Sequence, residues 1–572
     1  MSRFMGWSMR RACCALLVGC VILGLAPGVG AEATALVKER WAVTYDGPCS
    51  GADWPSDMVL DSEGNVIITA SGDISTTSHD AITIKYDPDG NELWMATYDD
   101  PNDDFARSFA VAVDSDDNVY ICGWGRQTTS TDYFTIAYDS DGEELWMATW
   151  DSPYHMFDWA SDVAVDSNGQ VYVVGTIYTD SQGEDIAILC YDSSGELLWT
   201  DIWSGEDGVS DFPGSLNVCD VDGTRVFVVG YANYIDYPNT ADGIALAYDD
   251  EGSLLWECCY DGGGAGVDGF NEVVFDASGN AYVTGATCVD DEDREDLLLM
   301  AFDCSGDVLW TTTVDGGEGG MDSSYDLAID GSGNLYACGF VNGVPPEDPY
   351  GYYYQTDAVV FACDPDGNVL WTDTYDPGDP DCFFRDVAVS DEGYLYVTGD
   401  TYAEEITDNV ALTRIYDADG NELWFDQFHL TDETADYGWR IAVNDEGDFY
   451  VFGAAYVDYY REDMVLRKFH HFTSASDYVD EVKDVIEGLP ASAFSKNAAQ
   501  KASTLSSKLD AVAKMIDDGD YQDAIDKLEQ DIIPKMDGVE QGNAKDWVTD
   551  PDAQQELCGM LQSLIGYLET LV

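Results

Sequence analysis

One phrase ending in tryptophan recurs along this 572-residue chain, and it limits the possible folds more than any other feature. Three of its seven copies are DPDGNELW, DSSGELLW and DADGNELW, which end at Trp94, Trp199 and Trp424. Successive copies lie 52 to 61 residues apart. A second phrase, best seen as VAVDSNGQVYVVG at 163–175, alternates with it and occurs eight times. Eight copies at a regular period predict a repeat architecture and not a series of independent domains.

Each repeat contains four short runs in which apolar and polar residues alternate. In one copy these runs are DVAVD (162–166), QVYVVG (170–175), DIAILCYD (185–192) and ELLWTDIW (196–203). The linkers Ser-Asn-Gly and Asp-x-x-Gly fit hairpin turns. No helical period separates the runs, which excludes a βαβ sheet. Four antiparallel strands repeated around an axis predict an all-β eight-bladed β-propeller over residues 40–470.

The two ends of the repeat region predict how the ring closes. The last copy stops at DMVLRKF (463–469) and lacks its tryptophan strand. Near the N-terminus, RWAVTYD (40–46) matches the run WMATYDD (94–100). We therefore expect the N-terminal strand to complete the eighth blade, because this closure removes two exposed sheet edges.

From residue 473 the composition changes, and 473–572 predicts a small all-α module. This stretch has eight lysines, no arginine and apolar residues at helical spacing, which indicates about four helices. Leucines at heptad spacing near the C-terminus predict the core of a helical bundle, with an oligomer seam as the alternative. We expect a monomer. These leucines are Leu557, Leu561, Leu564, Leu568 and Leu571.

The first 31 residues are typical of a secretory signal peptide. Arg10 and Arg11 precede an apolar run that ends near Leu25, and the best cleavage site follows Ala31. The alternative is a lipoprotein, because Leu17-Val18-Gly19-Cys20 has the lipobox pattern and would leave the protein anchored through Cys20. Residues 32–572 contain no apolar stretch long enough to span a membrane. The sequence thus predicts a secreted or cell-surface protein.

The chain is strongly acidic, with 111 Asp and Glu against 24 Lys and Arg and a formal net charge of −87. Residues 41–472 alone contain 89 acidic and 11 basic residues. Nucleic acids and anionic membranes are bound by clustered cations, so neither is an expected partner. Such self-repulsion also predicts that stability depends on cations that screen or bind the carboxylates.

Residue types that usually carry catalysis are scarce, and we predict no catalytic residue. None of the five histidines lies in a metal-ligand or nucleophile motif. Twelve cysteines follow residue 31, and most lie inside strand patterns as small core residues. The vicinal pair Cys258-Cys259 predicts two packed thiols or one long-range disulfide. We therefore expect a protein that is not an enzyme.

The repeat phrases resemble those of known propeller families. Units of the type DVAVDSNGQVYVVG, with their Asp-x-x-Gly turns, resemble the bacterial β-propeller repeat (SBBP) family, and also NHL repeats. The Gly-to-Trp spacing is similar to the tryptophan-docking motif of quinoprotein dehydrogenases, although packing of each tryptophan on the next blade explains it without a cofactor. The stretch NAAQKASTLSSKLDAVAKMIDDGDYQDAIDKLEQDII resembles FIMAH-type helical modules of secreted microbial proteins. None of these resemblances implies one activity.

Aromatic residues near the starts of the inner strands are the candidate ligand-binding residues. Four of them, Trp54, Trp159, Phe383 and Tyr437, stand seven residues before equivalent turn positions. Aromatic and acidic groups around a concave rim suit a glycan or a peptide, with aromatic packing of the channel mouth as the alternative. The longest loop, 340–356, contributes the other four candidates: Tyr350, Tyr352, Tyr353 and Tyr354.

Two sets of repeated aspartates are expected on that same face. One set begins the third strand of each blade and the other precedes the inner strand. They are strand caps that accept backbone N–H groups or, alternatively, ligands of Ca²⁺, which takes clustered carboxylates. The candidate calcium ligands are Asp158, Asp185, Asp268 and Asp296.

Together these features favour a secreted acidic propeller that binds an extracellular glycan or protein, is stabilised by Ca²⁺ where the aspartates bind it, and needs no other cofactor. In this hypothesis the helical module attaches or spaces the propeller. The alternative is an enzyme, either a quinoprotein-like oxidoreductase or a polysaccharide lyase or hydrolase that uses the rim carboxylates.

Overall fold

The computed structural model describes residues 35–47, 49, 52–73, 79–99, 105–127, 130–179, 183–205, 209–221, 223–236, 239–264, 266–289, 295–316, 320–343, 355–376, 382–403, 408–429, 436–458, 461–495, 497–536 and 547–572. All of them belong to one compact unit, Ala33–Val572. The predicted signal peptide, 1–31, lies outside the described residues and stays a prediction.

The described residues form eight four-stranded antiparallel sheets, which confirms the predicted β-propeller. From inner to outer strand, blades one to four contain β2 (Trp54–Leu60), β3 (Val66–Gly72), β4 (Asp80–Tyr86), β5 (Glu92–Tyr98); β6 (Ala106–Val113), β7 (Val119–Gln127), β8 (Ser130–Tyr138), β9 (Glu144–Trp150); β10 (Asp158–Val165), β11 (Val171–Tyr178), β12 (Glu184–Tyr191), β13 (Leu197–Trp203); β14 (Ser210–Cys219), β15 (Arg225–Asp236), β16 (Asn239–Asp249) and β17 (Leu254–Tyr260).

Blades five to seven repeat this order, and blade eight takes its outer strand from the N-terminus. The strands are β18 (Gly269–Phe275), β19 (Ala281–Cys288), β20 (Glu295–Phe302), β21 (Val308–Val314); β22 (Ser323–Ile329), β23 (Leu335–Gly343), β24 (Gln355–Cys363), β25 (Val369–Tyr375); β26 (Cys382–Val389), β27 (Leu395–Ala403), β28 (Asp408–Tyr416), β29 (Glu422–Phe428); β30 (Asp436–Val443), β31 (Asp448–Asp458), β32 (Arg461–Phe472) and β1 (Leu36–Tyr45).

The N-terminal strand closes the ring as the sequence predicts. Strand β1 pairs antiparallel with β32, from Leu36 opposite Phe472 to Tyr45 opposite Met464. Each inner strand contacts the inner strand of the next blade, and β30 contacts β2. The eight inner strands therefore surround one central channel.

The apolar core lies between the blades, because the second and third strands bury both of their faces. Every residue of β3 and β4 is buried, whereas the outer strand β5 alternates between buried and exposed positions. One core cluster joins side chains of blades two and three, including Tyr133 and Leu189. Neighbouring blades therefore depend on each other for burial of their apolar residues.

Seven of the eight tryptophans at the repeated outer-strand position pack against a glycine turn of the adjacent blade, as the repeat spacing indicates. A Cβ atom added to Gly195 would lie 2.6 Å from the ring of Trp146, and the indole Nε1 donates to the carbonyl of Ser193 at 3.1 Å. Trp424 has no such turn to meet and packs instead against Phe449 and Phe469. The six other pairs are Trp41 on Gly90, Trp94 on Gly142, Trp199 on Gly252, Trp256 on Gly306, Trp310 on Gly367 and Trp371 on Gly420.

The C-terminal region forms four α-helices in the described residues, followed or linked by short 3₁₀ and π segments. Ser474 and Asp550 cap the first and last helices by accepting backbone N–H groups. The predicted leucine stripe is the bundle core from Leu557 to Leu568, but Leu571 lies beyond the last helix and is exposed. The helices are α1 (Ala475–Gly488), α2 (Ala498–Asp517), α3 (Tyr521–Lys527) and α4 (Pro551–Glu569).

This bundle packs against the blade that closes the ring. Leu36 of β1 and Phe472 of β32 belong to the same apolar cluster as the helices. Glu481 of α1 pairs with Lys38 at 2.9 Å and with Arg40 at 2.6 Å. The helical module and the N-terminal strand therefore support each other.

The twelve described cysteines are all free thiols. Cys122, Cys190 and Cys338 are fully buried within strands, as the sequence indicates. In the vicinal pair, Cys258 is half-buried and Cys259 is exposed. Burial raises the pKa of both thiols, so neither is an activated nucleophile.

Candidate functional site

One face of the propeller collects the starts of the first and third strands and the ends of the second and fourth strands. In blade one, Trp54 at the start of β2 pairs with Ser71 near the end of β3. Ala81 near the start of β4 pairs with Tyr98 at the end of β5. We call this side the top face, and all of the described candidate residues lie on it.

The structure brings two of the predicted aromatic residues together and leaves the other two apart from them. Trp54, Trp159, Phe383 and Tyr437 are all half-buried. Phe383 and Tyr437 flank the same guanidinium, whereas the ring of Trp159 packs edge-on against Tyr178 at 5.5 Å. Predicted residues Tyr350, Tyr352, Tyr353 and Tyr354 lie outside the described residues.

A cluster of four side chains lies where blades one and two meet, and we call it the His79 cluster. The imidazole of His79 lies between Trp54 and Phe105, with ring centroids 4.8 and 4.9 Å away. The guanidinium carbon of Arg107 lies 4.9 Å from the ring of Trp54. Phe105 is 37% exposed, so the cluster reaches the protein surface.

The His79 cluster contains polar groups that no internal partner fully satisfies. Nδ1 of His79 lies 2.7 Å from Oδ1 of Asp73. Nε of Arg107 is buried, and no acceptor among the described residues takes its proton. Burial lowers the pKa of Arg107, and the nearby charge of Glu462 opposes this shift. A buried guanidinium N–H without an acceptor is a polar group whose hydrogen bonding the described residues leave incomplete.

A second cluster, the Arg385 cluster, lies across blades seven and eight. The guanidinium of Arg385 lies 4.7 Å from the ring of Trp439, 5.6 Å from Phe383 and 6.0 Å from Tyr437. Its Nε donates to Oδ1 of the fully buried Asp400 at 2.6 Å. Arg385 is therefore held by an internal ion pair. What the cluster presents to a ligand is mainly the aromatic rings that surround this arginine.

Sequence reasoning missed His79, Arg107 and Arg385 because none of them lies in a motif. A signal was available nevertheless. Residues 41–472 contain only 11 basic residues, and two of them, Arg107 and Arg385, lie within the first four residues of inner strands β6 and β26. A rare positive charge near the start of an inner strand indicates a local specialisation of the top face.

A ring of carboxylates surrounds the central channel, at the inner-strand position four residues before the repeat turn. Four of these acids cap the inner strand of the next blade just past its β-bulge; for example, Asp57 accepts from Val111 N at 3.0 Å, and Asp162 from Leu216 N at 2.7 Å. Glu272 differs, because it accepts from Ser215 Oγ and from Val273 N. Arg440 fills the eighth position and donates to Asp57 at 2.9 Å. The other acids in the ring are Glu272, Asp326 and Asp386.

These channel acids are hard to ionise together. Loss of contact with water raises the pKa of Asp162 to about 7, and the charge of Asp57 adds to the rise. Burial, with the charges of Asp326 and Asp162, raises the pKa of Glu272 to about 8. Between about pH 4 and their raised pKa values, Asp162 and Glu272 therefore bind more protons in the folded protein than in the unfolded chain, where carboxyl groups titrate near 4.

We expect Glu272→Gln to raise the melting temperature, and to raise it more at pH 8.5 than at pH 5.5. Because the folded pKa of Glu272 is raised, the wild type loses stability as the pH rises through about 4 to 8. The glutamine carries no charge and keeps an oxygen for Ser215 Oγ and Val273 N, which both donate to Oε1. Thermal melts at both pH values measure the difference, with exposed Glu143→Gln as the control. An equal gain at both pH values would contradict this expectation.

The four predicted calcium ligands do not meet in one place, because they belong to different junctions between blades. Asp158 lies with Asp132 and Asp151, Asp268 with Asp242 and Asp261, and Asp296 with Asp315 and Asp322. Asp185 lies in none of the groups of three found among the described residues, since Ser204 replaces the acid that follows the outer strand. The inner-strand aspartates also act as caps: Asp158 accepts from Ser152 N and Asp211 from Gly205 N, both at 2.7 Å.

Comparisons with known proteins reveal relatives only at a distance. No protein-family model matches the chain. The uncharacterized WD repeat-containing protein L264 of Acanthamoeba polyphaga mimivirus is 31% identical over 152 residues, or 23% of this chain. The match spans about a tenth of that relative's length (10%). The resemblances to SBBP, NHL and FIMAH-type sequences therefore stay predictions.

Several solved structures are similar in their propeller architecture. The periplasmic gluconolactonase PpgL of Pseudomonas aeruginosa is 15% identical with a TM-score of 0.38, covering 66% of this chain and 96% of that one. A PL25 ulvan lyase bound to -[GlcA(1-4)Rha3S]- is 12% identical with a TM-score of 0.40, covering 74% and 95%. At this level of similarity neither protein assigns a ligand or a reaction to the chain.

The helices found in the described part of the chain are all too short or too polar to cross a membrane.

Proposed function

We propose that the chain is an exported binding protein whose top face takes an extracellular glycan or peptide. The observation that carries this proposal is the His79 cluster, where an aromatic surface surrounds a buried guanidinium N–H that has no acceptor in the described residues. Aromatic rings beside a few convergent polar groups are typical of ligand sites in propellers and other concave scaffolds.

The chemistry of the cluster favours a ligand with an oxygen-rich or anionic group next to a flat apolar one. Arg107 supplies a fixed donor, and Trp54 and Phe105 supply the faces on which a sugar ring or an aromatic side chain packs. The Arg385 cluster offers a second aromatic surface on the same face. Two separated surfaces suit an extended chain, either a polysaccharide or a peptide.

Export is part of the proposal, and it is supported by the N-terminal segment with Arg10, Arg11 and the apolar run that follows. A mature protein begins after Ala31, or at Cys20 if the lipobox is used.

A second candidate, an enzyme that acts on a polysaccharide, is favoured by one observation. His79 lies beside Asp73 and contacts the ring of Trp54, on which the guanidinium of Arg107 also packs. A base, its orienting carboxylate and a cation therefore lie close together at the junction of blades one and two. In that case His79 removes or supplies a proton while Arg107 stabilises negative charge on the substrate.

We expect Trp54→Ala and Arg107→Gln each to weaken ligand binding at least about tenfold, because each removes a direct contact of the kind that costs 1.4 kcal/mol or more. The mature chain is screened on glycan and peptide arrays, and hits are measured by calorimetry. Met147→Ala, on the outer strand and 38% exposed, is the control.

The outcomes separate the two candidates. Binding that survives both cluster variants would overturn the assignment of the site. Turnover of a bound glycan that is lost in His79→Ala, while affinity is kept, would establish the enzyme.

A further inference from the structure

Three carboxylates meet at four of the eight junctions between blades in the described residues. One comes from near the start of a third strand, one from the residue after the outer strand of that blade, and one precedes or begins the next inner strand. In every group, one oxygen of each carboxylate lies within 4.8 Å of the other two. The groups are Asp46, Asp53, Asp463; Asp132, Asp151, Asp158; Asp242, Asp261, Asp268; and Asp296, Asp315, Asp322.

The inner-strand member is fully buried, and in two groups its hydrogen bonding is incomplete. Asp158 is 0% exposed and accepts from Ser152 N through Oδ2. Its Oδ1 is buried, and so is the hydroxyl of Ser152, and neither has a hydrogen-bond partner in the described structure. Asp53 repeats the arrangement: Oδ2 accepts from Gly47 N at 2.7 Å, and no hydrogen bond of ordinary geometry from the described residues reaches its buried Oδ1, although the backbone of Asp73 lies close enough to oppose the rise in its pKa.

At another junction, the protein itself supplies hydrogen-bond donors to Oδ1 of the equivalent inner-strand aspartate. Oδ1 of Asp268 accepts from Thr287 Oγ1 at 2.7 Å and from Cys288 N at 2.8 Å. The residue paired with Asp158 is Ile177, which has no hydroxyl. At the Asp53 junction, Gly72 occupies the corresponding end of the second strand. A buried carboxylate oxygen that lacks a hydrogen-bond partner destabilises the folded protein, so an external partner is expected at these two junctions.

We propose that two junctions each bind a divalent cation, for which Ca²⁺ is the best fit. One site is formed by Asp132, Asp151 and Asp158, between blades two and three. The other is formed by Asp46, Asp53 and Asp463, between blades eight and one.

The geometry suits calcium. Ca²⁺ binds six to eight oxygens at about 2.3–2.6 Å, so two oxygens on one ion lie no more than about 4.8 Å apart at a middle distance. Each triad meets this limit, and backbone carbonyls and water complete the coordination. Mg²⁺ needs shorter bonds and a stricter octahedron, and it gives up its water less readily.

The cation would join parts of the chain that are far apart in sequence. Asp46 directly follows the closing strand β1, Asp463 lies in β32, and Asp53 precedes the first inner strand β2. One ion on these three side chains therefore links the closing strand, its sheet and the first blade. The inference is independent of which ligand the top face binds.

A proton is the competitor for the same position. Burial raises the pKa of Asp53 to about 7, and the charges of Asp463 and Asp46 add to the rise. Burial raises the pKa of Asp158 to about 6, with the charges of Asp151 and Asp132 acting in the same direction and the hydrogen bond from the backbone N–H of Ser152 opposing them. Titration at pH 8, above both values, keeps the carboxylates available to a metal ion.

The test uses the full mature chain, stripped with a chelator and kept in about 0.5 M NaCl, where the Debye length is only about 4 Å and general screening is saturated. Ca²⁺ is titrated by calorimetry at pH 8, and melting is followed with EDTA or with about 1 mM CaCl₂. The variant Asp46→Asn/Asp151→Asn changes only exposed members of the triads, so the backbone caps on Asp53 and Asp158 stay in place.

We expect the variant to bind two fewer Ca²⁺ ions than the wild type, or to bind those two at least about tenfold more weakly, and to lose most of the Ca²⁺-dependent rise in melting temperature. The control Asp89→Asn/Asp141→Asn removes the same charge from exposed turns and should behave as the wild type. A wild type that binds no Ca²⁺, an unchanged stoichiometry and affinity in the triad variant, or an equal loss in the control would each overturn the proposal.

Discussion

Replacing Trp146 with alanine is expected to lower the free energy of unfolding by about 3–5 kcal/mol, the usual cost of truncating a large buried aromatic side chain. The side chain is only 9% exposed. It contacts the rings of Tyr120 and Tyr191, which belong to neighbouring blades, and its Nε1 donates to Ser193 O. The substitution therefore removes both packing and a hydrogen bond between blades two and three.

The glycine beneath this ring gives a test with a matched control. Gly195 has φ +83°, and its Cβ in an alanine variant would lie 2.6 Å from the Trp146 ring. Gly169 has φ +79°, but its added Cβ would meet only Ser193 Cβ at 3.5 Å. Both variants carry the cost of a left-handed alanine, about 1–2 kcal/mol, and only Gly195→Ala also carries the clash.

Urea unfolding of the three variants measures these effects. The urea midpoint of Gly195→Ala should be clearly lower than that of Gly169→Ala, and Trp146→Ala should have the lowest midpoint of the three. Equal midpoints for the two glycine variants would show that the tryptophan does not rest on the turn in solution. An unchanged midpoint for Trp146→Ala would show that the repeated contact contributes no stability.

The repeats made the fold predictable from the sequence. The start of an inner strand was predicted less well, because a β-bulge interrupts the alternation of apolar and polar residues there. The inner strand of blade three was predicted to begin at residue 162, whereas β10 begins at Asp158. A β-bulge shifts the register between Ala160 and Asp162, so the alternation of apolar residues starts only after it. The same bulge occurs in other inner strands, for example between Phe384 and Asp386.

The candidate sites were only partly predictable, because they join residues from different repeats. Both aspartate sets were visible in the sequence, but the third member of each triad was missed. Its signal is the acid that ends TYD at Asp46, TWD at Asp151 and TVD at Asp315. The His79 cluster combines residues of blades one and two that share no motif, so only the folded structure brings them together.

The helical module was predicted to attach or space the propeller, and its contacts indicate a further role in holding the ring closed. Leu36 of the N-terminal strand is 0% exposed and lies in the same apolar cluster as Val479 and Leu557. Phe472, the last residue of β32, packs edge-on against Tyr478 at 4.9 Å. The strand that completes blade eight is thus covered by helices and not only paired with β32.

We expect a chain that ends at Phe472 to melt at a lower temperature than the full chain and to expose Lys38 and Arg40 to trypsin. Without the module, Leu36 returns to water and Glu481 no longer pairs with the two cations. Those ion pairs are partly exposed and contribute little, so apolar burial dominates the effect.

A point substitution separates this effect from the loss of a whole domain. Leu36→Ala in the full chain should cost about 2–5 kcal/mol and should make the same two cleavage sites accessible, because it weakens the strand from the propeller side. Glu481→Gln should leave protease protection nearly unchanged. If the truncated chain kept both its melting temperature and its protection from trypsin at Lys38 and Arg40, strand pairing alone would close the ring. The helical module would then have no role in closing it.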